Sequence, residues 1–440
     1  MISEKQLPEL NGYHKLEGLL PVERAPELNQ LVVPGINDQL PIHRWFRFKE
    51  AFSADLLKTL LFSLRPNTSK NICLLDPFCG GGTALVSAQE LSRFADITAI
   101  GIERNPFIHF IASTKISWPL MNPERIVALG ELVLARSLSH STSIPRLSSL
   151  TTGRCMSRHT ARRLLAIRDA IWTDGSSPDH DALMLGLGGV VEQLSKTRKD
   201  GRALRLVPRP RQDIGHVLSC KWAQIASDVR FMQQLAPQAP IPTVILGDGR
   251  VPTTHGIPPC SVDMLLTSPP YPNNIDYSEV YKLELWLLGF ISDSDEFLKL
   301  RKATFRSHPT AAAADLTDEF RAELKQGMIK AILRPIIRRT RSSPERYRYR
   351  LIVGYSFDLW LTLRECYRLL REKGVCVIVI GNSLHGGKHI PYLIPTDLLV
   401  SAIAERAGYR VEKIAVARDF RRRLSGNHFL RESIVVLKKE

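Results

Sequence analysis

Leu74-Leu75-Asp76-Pro77-Phe78-Cys79-Gly80-Gly81-Gly82-Thr83 is the stretch that decides the fold of this chain. The apolar run 72–75 predicts a short buried strand, Gly80 to Gly82 permit a tight turn with close ligand approach, and residues 83–91 predict a helix. Strand, glycine turn and helix together describe a nucleotide-type site at the carboxyl edge of a strand, where open α/β sheets bind their ligands. The bland version of the same pattern is a strand-to-helix turn without a ligand. No Gly-Lys-Ser/Thr follows, which excludes a phosphate-cradling P-loop. Residues 97–102 then predict a second strand ending at Glu103, an acid positioned to accept hydrogen bonds from both hydroxyls of a ribose. The two signals together are much stronger than either alone.

Far downstream, residues 262–266 predict another strand, broken by Ser268-Pro269-Pro270-Tyr271. Two prolines remove backbone donors and stiffen a turn that aims carbonyls and an aromatic ring outward. Asp76-Pro77-Phe78-Cys79-Gly80-Gly81-Gly82-Thr83 taken with Thr267-Ser268-Pro269-Pro270-Tyr271 resembles the amino-methyltransferase family of DNA enzymes, which methylate cytosine N4 or adenine N6 from S-adenosylmethionine. Gly81 stands where that family usually has Ser, a small-for-small change. The Ser-first form of the second motif is commoner among the cytosine-N4 enzymes.

The resemblance implies an α/β class I methyltransferase fold, Rossmann-like, with a seven-stranded mostly parallel sheet and helical insertions. It implies S-adenosyl-L-methionine as cofactor, held by Phe52, Asp76, Phe78, Gly80, Gly82, Thr83, Glu103 and Asp248. Catalysis falls to Ser268, Pro269, Pro270 and Tyr271. An exocyclic amine is a poor nucleophile because its lone pair is delocalised into the ring. Ser268 Oγ and the Pro269 carbonyl are acceptors able to draw the nitrogen toward tetrahedral geometry, and Tyr271 can stack on a base extruded from the duplex. Methyl transfer is then direct, with rate gained from positioning and electrostatics. Cytosine-C5 enzymes use a Pro-Cys nucleophile after this strand, whereas Pro259-Cys260 precedes it and reads as structural.

A chain of 440 residues with a formal net charge of +16 fits a large core with insertions and a polyanionic partner, double-stranded DNA being the simplest. The charge clusters. Residues 196–211 hold Lys196, Arg198, Lys199, Arg202, Arg205, Arg209 and Arg211; residues 334–350 hold Arg334, Arg338, Arg339, Arg341, Arg346, Arg348 and Arg350 with Tyr347 and Tyr349; Arg418, Arg421, Arg422 and Arg423 flank Phe420. Arginine interleaved with aromatic rings suits phosphate contact and base stacking. The structural alternative is that these arginines pair with nearby acids such as Glu319 and Glu323.

The seven cysteines, Cys73, Cys79, Cys155, Cys220, Cys260, Cys366 and Cys376, are dispersed and odd in number, so neither a disulfide framework nor a zinc site is expected. A polar amino terminus and the lack of a long apolar run lead to the expectation of a cytoplasmic protein with no membrane partner.

Outside the motifs, His43 to Phe52 precede Ser53, an N-cap for a helix over 54–64. Further strands are expected at 243–246, 375–380, 409–416 and 432–438, with helices over 277–288 and 356–370 and Gly374 as a C-cap. The expected core comprises residues 1–106, 240–290 and 351–440. Residues 107–239 form a helical insertion and a candidate for target recognition; residues 291–350 form a basic insertion and a candidate for DNA binding. Asn273, Asp276 and Tyr277 either border the extruded base or cap the next helix. Gly381-Asn382-Ser383 is weighed as a plain turn against a pocket wall, and His385 and His389 as solvated loop residues.

The functional expectation is a site-specific DNA methyltransferase of a restriction-modification or phage-defence system, with a cognate restriction or defence protein as partner and cytosine N4 favoured. Alternatives are adenine N6, a transfer-RNA guanine-N2 methyltransferase with related motifs, and a catalytically silent DNA-binding subunit.

Overall fold

The computed structural model describes residues 7–64, 71–140, 142–145, 152–201, 203–341, 347–386, 391–420 and 429–440. Its centre is one sheet of eight strands: β1 (Val22–Arg24), β2 (Asn71–Asp76), β3 (Asp96–Glu103), β4 (Thr243–Leu246), β5 (Val262–Thr267), β6 (Leu370–Gly381), β7 (Arg410–Asp419) and β8 (Arg431–Lys438). Side by side they lie in the order β1-β7-β8-β6-β5-β2-β3-β4. Among them only β8 runs antiparallel to its neighbours.

Why these segments become strands is visible in how their side chains divide. Parallel strands covered on both faces must be apolar at successive positions. Leu74, Met264, Leu266, Val377 and Val379 feed one hydrophobic cluster, while their neighbours Leu75, Leu265, Cys376, Ile378 and Ile380 feed the other. The chain builds β3 and β4 outward from β2, then returns to lay β5 on the other flank of β2. Strand order reverses between β2 and β5, and at such a switch point the two following loops part to leave a crevice.

The sheet has one strand more than the expected seven. β1, only three residues of mixed polarity, pairs in parallel with β7 at the edge, and Arg24 closes the pair by an ion pair to Asp419 at 2.8 Å. So short a strand leaves no periodicity to detect. Gly374, expected as a helix cap, lies inside β6; the left-handed residue at that corner is Lys373, φ 63°. The Lys373 N–H donates to the Lys439 carbonyl and the Lys439 N–H to the Gly374 carbonyl, which draws the corner into the sheet. The helix before it begins at Tyr347 rather than 356, and the expected helix over 277–288 divides at Tyr281 into Tyr277–Val280 and Lys282–Leu287.

Neither insertion has a core of its own. Ile126 and Val133 of helix Pro123–Arg136, Leu164 of Arg158–Thr173, Leu187 of Pro178–Leu194 and Trp222 of Ile214–Leu235 share one cluster with Leu74 and Met264 of the sheet. Helix Pro106–Ile116 straddles the expected boundary at 106/107 and packs on the sheet. On the opposite face Phe320, Ile332, Leu333 and Ile336 join the cluster of Leu75 and Ile378.

Candidate active site

Two loops meet at the switch point. After β2, the chain turns through Gly80 (φ 52°) and Gly82 (φ 81°), both in the left-handed region that glycine adopts without penalty. A Cβ on Gly80 would stand 2.9 Å from Phe48 Cε1, and one on Gly249, after β4, would stand 1.8 Å from the Pro77 carbonyl oxygen. The loops are therefore seated backbone against backbone. Between them and the turn after β5 opens a cavity.

Of the twelve residues expected at the site, Phe52, Phe78, Gly80, Thr83, Glu103, Asp248, Ser268 and Pro270 line this cavity. Asp76 lies just beneath, where its Oδ1 accepts from Thr267 Oγ1 at 2.7 Å and from the Phe78 N–H at 3.1 Å, clamping the glycine turn to the proline turn. Gly82 packs on Ala112 instead of the cavity, and Pro269 is buried beside the lining. Tyr271 also turns away. Its ring lies where any Gly381 side chain would be, 2.8 Å from a Cβ there, and its hydroxyl donates to Glu432 Oε1 at 2.8 Å. Arg418 Nε donates to the other oxygen of Glu432 at 2.6 Å. Ser268 Oγ makes only a long contact to the Tyr271 hydroxyl, 3.4 Å, and faces the cavity.

Enclosure sets the charges. Burial pushes the Asp76 carboxyl up to about 7 against the hydrogen bonds from Thr267 and Phe78, with Glu103 adding to the rise. Burial likewise pushes Glu103 up to about 7, opposed by the backbone N–H groups of Asn105, Arg104 and Gly80. At Asp248 burial also acts upward, but hydrogen bonds and charge from Arg250, helped by the charge of Arg104, outweigh it and hold the carboxyl below the usual range.

Several lining residues carry no motif. Phe48 stacks on Tyr281 at 5.6 Å, and Glu50 accepts from the Tyr281 hydroxyl at 2.7 Å. Both lie in the His43 to Phe52 stretch, which Arg44 and Trp45 anchor through bonds of 3.0 Å to Asp228. Thr304 and Phe305 enter from the segment read as a DNA-binding insertion. Phe305 sits edge-on to Phe78 at 5.5 Å, and His308, tied to Thr304 at 2.8 Å, faces Asp276. Tyr277 lines the cavity, and burial together with Glu50 and Glu103 pushes its phenol up. Asp276 caps the short helix through the N–H groups of Ser278 and Glu279. Asn273 takes a local bond from the Ile275 N–H at 3.1 Å.

Nearby candidates prove structural. Asn382 bonds Asp397 and the Phe429 carbonyl, each at 2.9 Å, beside a buried pair between Arg431 and Asp397 at 2.7 Å. His385 is buried against Ser383 and Asn274, which corrects its solvated reading. His389, Arg202, Arg346 and Arg421 to Arg423 lie outside the described residues, as do the side chains of Arg341 and Tyr347. Glu319 and Glu323 do pair with arginines, but with Arg364 and Arg406 from outside the insertion. Lys199 departs from its basic run: it is buried, 2.6 Å from Glu284, with its ammonium over the rings of Phe46 and Tyr281. Among the described residues no cluster of His, Cys, Asp or Glu could hold a metal ion, and no helix is long and apolar enough to cross a membrane.

The strand order, its single reversed strand and the paired loops at the switch point define a class I methyltransferase fold. No family model matches the chain. It is 28% identical over 416 residues to the Type II methyltransferases M.AvaI of Nostoc sp. and of Anabaena variabilis, covering 86% of this chain and 81% of theirs. It is 25% identical over 471 residues to the Type II methyltransferase M.BsoBI of Geobacillus stearothermophilus, covering 95% and 90%. A solved rRNA methyltransferase, aviRa from Streptomyces viridochromogenes, superposes with a TM-score of only 0.33 at 10% identity over 88% of this chain and 85% of that one.

Proposed function

We propose that the protein is an S-adenosylmethionine-dependent DNA methyltransferase of a restriction-modification system, acting on an exocyclic amine and on cytosine N4 in particular. The observation that carries this reading is that the Ser268 turn and the Glu103 glycine-loop site open into one cavity. The similarity to Type II methyltransferases along most of the chain supports the substrate class. Serine at the head of the proline turn favours cytosine.

The cavity suits the cofactor in its polar groups. Asn105 Nδ2 and Ser278 Oγ are buried at its wall with no hydrogen-bond partner among the described residues, an expensive state that a polar ligand relieves. Glu103 is the acceptor for ribose hydroxyls, Asp248 for an adenine amine, and Phe52 and Phe78 supply apolar contact. The cofactor, when bound, supplies an electrophilic methyl group on sulfonium. Ser268 Oγ and the neighbouring carbonyls accept hydrogen bonds from the target amine, which localises its lone pair. Tyr271, held by Glu432, buttresses the turn from behind, so the task of facing the extruded base passes to Tyr277, whose ring lines the cavity. No residue need form a covalent bond to the base.

Purified protein with methyl-labelled cofactor and duplex DNA tests the reading, together with modified-base sequencing of DNA from cells expressing the chain. Label in DNA as N4-methylcytosine is expected. N6-methyladenine would keep the reaction and change the base; label entering transfer RNA but not DNA would overturn the proposal.

A further inference from the structure

The strands Thr197–Asp200 and Ala203–Leu206 form an antiparallel hairpin in which Arg198 stands directly opposite Arg205. Strand geometry sends alternate side chains to opposite faces. Thr197 and Lys199 turn inward, 1% and 6% exposed, while Arg198 and Arg205 turn to solvent. The inward face is nailed down by the Lys199–Glu284 pair, and the second strand lies against the helix Tyr277–Val280 that follows the proline turn. The exposed face is thus a fixed platform beside the catalytic loop.

Like charges directly opposite on a hairpin destabilise it. Arg205 reaches a carboxylate only at 3.9 Å, on exposed Asp200, and Arg198 has none among the described residues. Beyond the hairpin the same charge continues. An open groove of about 760 Å³ is lined by Arg163, Lys196, Arg209 and Arg211, and among the described residues none of these four has a carboxylate within ion-pair distance. Arg209 instead donates to the Thr197 carbonyl at 3.1 Å, which joins groove to hairpin, and Arg163 donates to Ser137 Oγ at 2.8 Å. The one acid lining the groove, Asp213, is engaged in capping helix Ile214–Leu235. Some exposed arginines elsewhere are matched, Arg24 with Asp419, Arg371 with Asp263 and Arg406 with Glu323, while others such as Arg93 and Arg334 stand singly and far apart in the chain. Six cations, five of them with no carboxylate at ion-pair distance among the described residues, concentrated beside a catalytic loop on a rigid platform, call for a polyanion.

We propose that this hairpin and groove form a phosphate track for the sugar–phosphate backbone of the DNA duplex, delivering the target strand to the Ser268 turn by sequence-independent contacts. The inference rests on the DNA-methyltransferase reading and adds to it where the backbone lies. The track positions DNA and takes no part in methyl transfer.

The test is the salt dependence of the affinity of the full chain for a random-sequence DNA duplex, read by fluorescence anisotropy. Each phosphate left without its cation lowers the slope of log affinity against log salt by about 0.9. Arg198→Ala with Arg205→Ala is expected to lower it by about 2, and the further pair Arg209→Ala with Arg211→Ala by about 2 more. Arg371→Ala with Arg410→Ala, at the opposite edge of the sheet, removes the same charge and is expected to leave the slope in place. Calorimetric affinity for S-adenosylmethionine serves as the folding control; where the fourfold variant loses it, the hairpin pair alone decides. If wild type binds and methylates DNA while the hairpin pair keeps the wild-type slope, or reduces it no more than the Arg371/Arg410 pair does, the track is wrong and the reaction stands. If wild type neither binds nor methylates duplex DNA, the functional reading itself fails. Tighter binding of duplex RNA, with the same fall in slope, would make RNA the occupant and overturn DNA.

Discussion

At the scale of single residues the site is governed by enclosure. Glu103 titrates near 7 in the free protein because burial disfavours its charge. In the proposed role ribose hydroxyls donate to the ionised carboxylate, so binding of S-adenosylmethionine is expected to lower that value and expel a proton. Affinity is therefore expected to climb by up to about tenfold per pH unit below 7 and to level off above it. Calorimetry in buffers of different ionisation heat reads the proton directly, and Glu103→Gln should flatten the profile; a pH-independent affinity in the wild type would refute the assignment. Ser268→Ala is expected to lower kcat by roughly 10²-fold with cofactor affinity kept, the order found when one transition-state hydrogen bond is removed. Tyr271→Phe should cost less, because the ring still packs on Gly381 and only the bond to Glu432 is lost. Equal losses for both would return Tyr271 to direct contact with the base. That Glu103, Ser268 and Gly80 would meet at one cavity could be read from the sequence because each belongs to a short motif whose chemistry is local. Tyr271 stood out in the sequence, but the contact it makes in the fold did not. Its partner Glu432 lies 161 residues away on β8, and no spacing rule connects the two.

At the scale of elements, the strands were readable because parallel strands covered on both faces spell unbroken apolar runs, as 262–266 and 375–380 do. What could not be read was direction. The basic run 196–211 looked uniformly suited to DNA, yet the period of two in its hairpin turns Lys199 into the core and Arg198 out. The same limit hid Thr304 and Phe305, which reach the cavity at the switch point from a segment whose charge pointed elsewhere. Lys199→Met tests the inward reading. It leaves Glu284, 1% exposed, without its cation, and is expected to cost about 3–5 kcal/mol of stability by urea unfolding. Lys199→Met with Glu284→Leu should recover most of that loss. A single variant of wild-type stability would place Lys199 at the surface. In the basic insertion, Arg339 faces Glu9 and the Pro391 carbonyl, so its loss should disturb folding before it touches DNA binding.

At the scale of the whole molecule, sheet and insertions share their apolar interior, Trp222 and Leu164 with Leu74 on one face and Phe320 with Ile378 on the other. One cooperative unfolding transition is expected for the whole chain, with fluorescence and circular dichroism coincident. Replacing residues 122–236 by a short linker should give no folded product, since it strips the layer that covers helices Pro106–Ile116 and Lys282–Leu287 and exposes their apolar side chains to water. A soluble truncated protein with a native near-ultraviolet spectrum would show that the helical layer is a separate unit. In the sequence that layer looks like an insertion because no motif ties it to the strands; its attachment is made by side chains far apart in the chain. The shared interior bears on engineering. An enzyme whose reading head is a detachable module can be given new specificity by transplanting that module from a cousin. Were the helical layer such a head, a transplant would carry with it apolar side chains that pack against the rest of the fold, and a change of target preference would be made instead by resurfacing side chains in place, one position at a time.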